Sequence, residues 1–173
     1  ESVAQRLIEI DTLMVGLQRV MDMPEYKFTD LLNEAVVASD DLSSKLTDVL
    51  SIMNEFARMG FEESQLLDIT KTAQTLQNIS DLDATESVNT LTSAMLNFNI
   101  AAEDSITVAN KLNEVDNNFA VSTKDLSDGI RKSASTAATF GVELDTLLGY
   151  IAAIGSTTRE SGAIIGNGKL FAA

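Results

Sequence analysis

Neither cysteine nor histidine occurs anywhere in the 173 residues. That double absence removes disulfides, zinc sites of the Cys/His type, thiol nucleophiles and every imidazole acid or base. Proline occurs once, at Pro24, and aromatic residues make up 5% of the chain. With so few helix breakers and no window that alternates with period two, the Ala, Leu, Ser and Thr runs favour helices over a sheet. Long apolar runs are missing as well. The longest, Leu147 to Ile154, falls far short of the ~20 residues that a membrane-spanning helix needs, so no membrane span is expected in this segment. Basic residues are scarce, 12 against 26 acids for a net charge of -14. Such a field repels phosphate backbones and argues against direct nucleic-acid binding. Seventeen acids and six bases lie in residues 1–86, nine and six in residues 87–173, and the excess reads as solvated acidic helix faces.

Apolar residues make up 45% of the chain, enough for one ordinary domain or for a piece of something larger. The chain opens at Glu1 with neither an initiator methionine nor a signal-peptide pattern, and it is read here as an excised piece. Val3, Leu7, Ile10, Met14, Leu17 and Met21 follow one another at alternating steps of four and three, an a/d seam about three heptads long. A seam of that kind calls for a partner helix and is a candidate for self-association into a homo-oligomer. Pro24 closes this first helix. A second run, Leu42, Leu46, Val49, Met53, Phe56 and Gly60, predicts a helix over about 43–59, with a shorter one over 29–39 before it. Further helices are expected over 62–78, 84–97, 102–117, 122–139 and 143–154. The fold class is therefore all-α, a compact stack or bundle of about eight short helices joined by tight Gly/Asn turns. It divides into a heptad-patterned helix (1–24), a helical core (25–155) and a Gly/Ser-rich tail (156–173) that reads as truncated.

One phrase recurs at the boundaries of these helices. In Met59-Gly60-Phe61 and Phe140-Gly141-Val142 a glycine stands where a helix ends in the left-handed conformation, followed by an apolar residue. Phe98-Asn99-Ile100 puts asparagine at that place, and Phe119-Ala120-Val121 is the weak copy, with alanine there and Asn117 and Asn118 just upstream. Phe61 with Leu66, Val121 with Leu126 and Val142 with Leu147 have the spacing of hydrophobic staples across the next N-cap, while Ser122 with Asp125 and Asp83 with Glu86 resemble capping boxes. Phe98, Phe119 and Phe140 are 21 residues apart, and Gln77-Asn78-Ile79 falls 21 earlier still. A repeating unit of one helix and one tight connector would give that period, and so would a bundle whose helices are equal in length.

Residues able to carry chemistry are better read structurally. Most of the carboxylate pairs Asp40/Asp41, Glu62/Glu63, Asp81/Asp83 and Glu103/Asp104 stand at or near predicted helix starts, where negative charge suits the helix dipole. DLDATESVNTLT begins like a calcium loop but has Glu86 where the glycine belongs and Thr92 in place of the bidentate glutamate. Gly162 to Gly168 lacks the lysine and the preceding strand of a phosphate loop. No catalytic residue, metal or cofactor is expected. Six methionines, with Met14, Met21 and Met53 at heptad positions, read as core filling.

Taken in order, FARMGFEESQLL, LNFNIAAEDSI, NNFAVSTKDL, TFGVELDTLLGYIAAIG and RESGAIIGNG resemble the core region of tape measure proteins of long-tailed bacteriophages and prophages. The similarity runs from about Ser43 to Gly168, and EIDTLMVGLQRV is similar to the helix that precedes that core. GKLFAA departs from the pattern. The resemblance implies a structural, mostly helical protein that sets tail length, assists tail assembly and DNA ejection, and resides in the tail lumen of the virion after synthesis in the host cytoplasm. It also implies partners among tail tube and tail-tip proteins or tail assembly chaperones. A fully extended helix of this length would reach ~260 Å at ~1.5 Å per residue, yet the joints argue for a folded domain. Two other functions compete, a helical-repeat protein-binding module and, more remotely, a cell-wall lytic transglycosylase built around Glu160 in Arg159-Glu160-Ser161-Gly162-Ala163.

Overall fold

The computed structural model describes residues 2–158 and 164. Among them the chain forms eight α-helices and no strand: α1 (Val3–Val20), α2 (Glu25–Asp41), α3 (Leu46–Arg58), α4 (Glu63–Asn78), α5 (Ala84–Phe98), α6 (Ile106–Asn118), α7 (Thr123–Thr139) and α8 (Leu144–Thr158), with one 3₁₀ turn at Ala102–Asp104. The fold is all-α. Internal contacts divide the chain into two compact units, with the boundary after Thr75 in the last turn of α4.

In the first unit α3 is the central element and packs against both α1 and α2. Its apolar spacing buries Val49, Leu50, Ile52, Met53 and Phe56, while α2 contributes Phe28, Leu31, Ala35 and Ala38 and α1 contributes Leu17. Each of the larger side chains is worth ~1.5–3 kcal/mol when withdrawn from water. In the second unit α5 lies most extensively along α7, α8 packs on α7, and α6 packs on both α7 and α8. The buried residues of α5 include Ser87, Thr90, Leu91 and Ala94, and those of α7 include Leu126, Ser127, Ile130, Ser133 and Ala134. Small residues let two helices approach closely. Two of the hydroxyls turn inward to their own helix, Thr90 donating to Glu86 O at 2.7 Å and Ser133 to Gly129 O at 2.6 Å, while those of Ser87 and Ser127 are buried without a hydrogen-bond partner among the described residues.

Several helix limits differ from the periodicity reading, each for a local reason. Helix α2 begins at Glu25 because Pro24, which cannot donate a backbone hydrogen bond, costs nothing at the cap, and its carbonyl accepts the first helical bond from Phe28 N–H at 3.2 Å. Leu42 belongs to the end of α2 and not to the α3 stripe, since the backbone turns left-handed at Ser43 (φ 51°). The expected helix over 102–117 starts with the 3₁₀ turn, and α8 runs to Thr158 instead of 154. Helix α1 is held at its start by a capping box that the heptad reading passed over: Ser2 Oγ accepts Gln5 N–H at 3.2 Å, and Gln5 Oε1 accepts Ser2 N–H at 2.8 Å.

Ser43 also marks a joint with no glycine or asparagine to announce it. Ser44 N–H donates to Ser39 O at 2.8 Å and Ser43 N–H to Asp40 O at 3.1 Å, the paired bonds of a Schellman C-terminus with serine in the left-handed position. Ser43→Gly is expected to raise stability by ~0.5–1 kcal/mol, because glycine relieves the β-carbon crowding there. Urea denaturation compared with the parent protein reads it out, and an unchanged midpoint would contradict it.

Candidate functional site

Among the described residues no helix is long and apolar enough to cross a membrane, and no group of three or more Asp or Glu side chains is arranged to hold a metal ion. An open depression of about 750 Å³ in the first unit gathers Glu34, Glu62, Glu63 and Asp68 around Lys27, which pairs with Glu63 at 3.2 Å. Arg159, Glu160 and the Gly-rich residues after them lie outside the described residues.

Three joints share one geometry. At Gly60 (φ 90°) Phe61 N–H donates to Phe56 O at 3.3 Å and Gly60 N–H to Ala57 O at 3.0 Å. At Gly141 (φ 70°) Val142 N–H donates to Ala137 O at 2.9 Å and Gly141 N–H to Ala138 O at 3.0 Å. At Asn99 (φ 53°) Ile100 N–H reaches Met95 O at 3.0 Å. Each arrangement satisfies carbonyls that a helix end leaves open and reverses the chain within a few residues. At the first joint the accompanying apolar contact is an edge-to-face pair, Phe56 against Phe61 with ring centroids 5.5 Å apart.

The Phe119 joint is built differently. Phe119 is extended (φ -133°, ψ 157°), and among the described residues only Ser43 and Asn99 are non-glycine positions with positive φ, so neither Ala120 nor Asn78 takes the left-handed place. Alanine carries the β-carbon that this conformation disfavours. A side chain ties the turn instead: Asp116 Oδ2 accepts the Thr123 N–H at 2.8 Å and the Thr123 hydroxyl at 2.7 Å. Of the joint side chains Val121 is buried, Phe61, Phe98, Ile100 and Val142 are half-buried, and Phe119 and Phe140 are exposed.

The starts of α5 and α7 stand side by side, joined by an ionic cluster centred on Glu86. Asp83 Oδ1 accepts Glu86 N–H at 2.7 Å and Glu86 Oε2 accepts Asp83 N–H at 3.1 Å, completing the capping box of α5. The other oxygen, Oε1, accepts from Lys124 Nζ at 2.8 Å and lies 3.6 Å from Arg131 Nη2, which also pairs with Asp128. The Lys124 hydrogen bond, then the Asp83 N–H, hold the Glu86 carboxyl below its ordinary value of 4.5, aided by the Lys124 and Arg131 charges and opposed by burial. The same bond raises Lys124 above its ordinary 10.5.

A depressed carboxyl pKa contributes stability that is fully present above the unfolded value and is lost as pH falls through the folded one. The second unit is therefore expected to lose stability below about pH 4.5 more steeply than a Glu86→Gln variant does. Thermal melts of both proteins from pH 7 down to pH 3 check this, and parallel acid limbs would count against it.

Helix α1 splits the seam. Val3 (76%) and Leu7 (62%) are exposed, Ile10, Met14 and Met21 are half-buried, and Leu17 (2%) is buried in the unit that α3 organises. The whole seam is thus not open to a second helix while α1 lies on α3.

Against known proteins, the family model of phage-related minor tail proteins matches residues 34–168. The chain belongs to that family. No solved structure matches it. The match covers everything from the middle of α2 through α8, so the joints at Ser43, Gly60, Asn99, Phe119 and Gly141 all fall within the part shared with the family. As a phage tail protein the chain is a structural component.

Proposed function

We propose that this chain is a segment of a tail tape measure protein, acting through helix packing to help set tail length and to assist tail assembly and DNA ejection. The supporting observation is the ordered series of phrases from about Ser43 to Gly168, which resembles the tape measure core and coincides with the family match over 34–168. On this reading the chain resides in the tail lumen of the virion, with tail tube and tail-tip proteins or tail assembly chaperones as partners. The net charge of -14 disfavours a grip on the genome that follows it through the tail. Residues folded into short reversing helices span far less than the ~1.5 Å each that an extended helix would give, so the measuring length belongs to the rest of the parent chain. The test is an in-frame deletion series in the parent gene outside this segment, with tails measured by electron microscopy. Tails should shorten by ~1.5 Å per residue removed; tails that assemble at constant length would rule the reading out.

Self-association through the seam is a further part of this proposal, confined to the residues that remain open. Val3 and Leu7, with half-buried Ile10, are the positions that a second helix can reach. Sedimentation of the Val3→Glu, Leu7→Glu variant beside the parent protein tests it, and an unchanged mass removes it.

A further inference from the structure

The contact between α1 and α3 is unlike the rest of the first unit. Leu17 is the one fully buried side chain of α1. The specific feature of the contact is polar and comes from the other side. Asn54 of α3, 3% exposed, donates its side-chain amide to Leu13 O of α1 at 2.9 Å and to Leu50 O of its own helix at 2.9 Å. The Asn54 carbonyl oxygen is buried and has no hydrogen-bond partner. Gly16 stands opposite: a β-carbon there would lie 3.0 Å from Asn54 Oδ1, so any larger residue makes the Asn54 side chain give way. A main-chain carbonyl, a glycine three residues later and a leucine after that are what this face of α3 accepts.

The connection from α1 to α2 suits movement. After the last helical bond, Met21 N–H to Leu17 O at 2.9 Å, the chain runs extended at Met21 (φ -101°, ψ 107°) and meets α2 at Pro24, with one backbone bond, Met23 N–H to Met21 O at 2.9 Å, and Met21 and Met23 half-buried. No left-handed closure locks it, in contrast to the ends of α2, α3, α5 and α7. At the other end of α1, Val3, Leu7 and Ile8 are all more than 60% exposed and contribute little to holding the helix down.

We propose that α1 is an exchangeable strap: it lifts from α3 about residues 21–24, and the α3 face it leaves is a docking site for α1 of a second copy. That face, with the buried Asn54 amide beside Leu50 and Met53, cannot stay bare at low cost. Another α1 carries the same Leu13 carbonyl, Gly16 and Leu17 and satisfies it identically, so exchange preserves the contact and alters only the hinge. This inference is independent of the tail-length reading and differs from seam-to-seam association, which would leave each α1 on its own α3.

The chain contains no cysteine, so a Gly16→Cys, Asn54→Cys variant carries two thiols only, at positions where a β-carbon on residue 16 lies 3.8 Å from Asn54 Cγ. Oxidised when dilute, this variant should yield crosslinked monomer. Oxidised after incubation at roughly hundredfold higher concentration it should yield covalent dimer joined between position 16 of one chain and position 54 of the other. Monomer at every concentration overturns the proposal, and so does a dimer whose crosslinks are all within one chain, which would instead favour association through Val3 and Leu7. Because the variant alters the contact itself, hydrogen exchange on the unaltered protein provides the second measurement. Amides of α1 should exchange at least ~10-fold faster than those of α3, and Gly16→Ala should widen the gap. Exchange of α1 and α3 at one common rate overturns the strap.

Discussion

Phe56→Ala lowers the stability of the first unit by ~3–5 kcal/mol. Phe56 is fully buried in the last turn of α3, and its ring meets Phe61 edge to face at 84°. Removing it forfeits both the apolar transfer energy and the aromatic pair, itself worth ~0.5–1.5 kcal/mol, and leaves a cavity that close-packed helices fill only in part. The Phe56 carbonyl, which accepts the Phe61 N–H across the Gly60 joint, survives the substitution, so the loss reports on the side chain and not on the turn. Urea denaturation followed by circular dichroism gives the magnitude, and hydrogen exchange across 46–58 locates it. A loss below ~1 kcal/mol would mean that Phe56 is not a core residue.

Gly129→Ala and Gly149→Ala, the same substitution in two neighbouring helices of the second unit, are expected to change stability in opposite directions. At Gly129, buried on α7, a β-carbon would sit 2.5 Å from Ile151 Cδ1, 3.1 Å from Cγ1 and 3.3 Å from Cγ2. Both branches of that isoleucine, Cγ1–Cδ1 and Cγ2, crowd the site, so rotating the terminal methyl group alone does not relieve it and Ile151 must shift against its neighbours. Overpacking of this kind costs ~1–3 kcal/mol. At Gly149, exposed on α8, nothing lies within 4 Å of the added carbon. Only the backbone term remains there, and alanine gains up to ~1 kcal/mol over glycine in a helix interior. Melting temperatures of the two variants, measured side by side, should fall on either side of the parent protein. Two shifts of the same sign would refute the packing of α7 on α8.

Much of the local structure was legible in the residues. The all-α class followed from 3.6-residue periodicity and the near absence of proline, and the α5 capping box was readable from Asp83 and Glu86 because a cap is decided by residues three apart. What escaped was of two kinds. Ser43 and the Asp116–Thr123 tie close joints by means that residue type does not announce, since serine is not favoured at positive φ and Asp116 acts on a residue seven positions away. The start of α2 was placed too late because the apolar stripe begins at Phe28, whereas the helix begins where Pro24 permits it.

The sequence by itself determined that this protein is helical, cysteine-free, strongly acidic and built from short elements with well-marked ends, because helix formation and capping depend on neighbours within about one turn. Only the tertiary structure decided which equivalent residues differ. Leu7 and Leu17 share one seam, yet one is 62% exposed and the other 2%. Gly129 and Gly149 both sit inside helices, yet one is pressed against Ile151 and the other faces open space. Gly16 matters only because Asn54, 38 residues later, comes to lie against it. Those differences arise from what packs across from a residue, and a chain read in one dimension does not contain that distance.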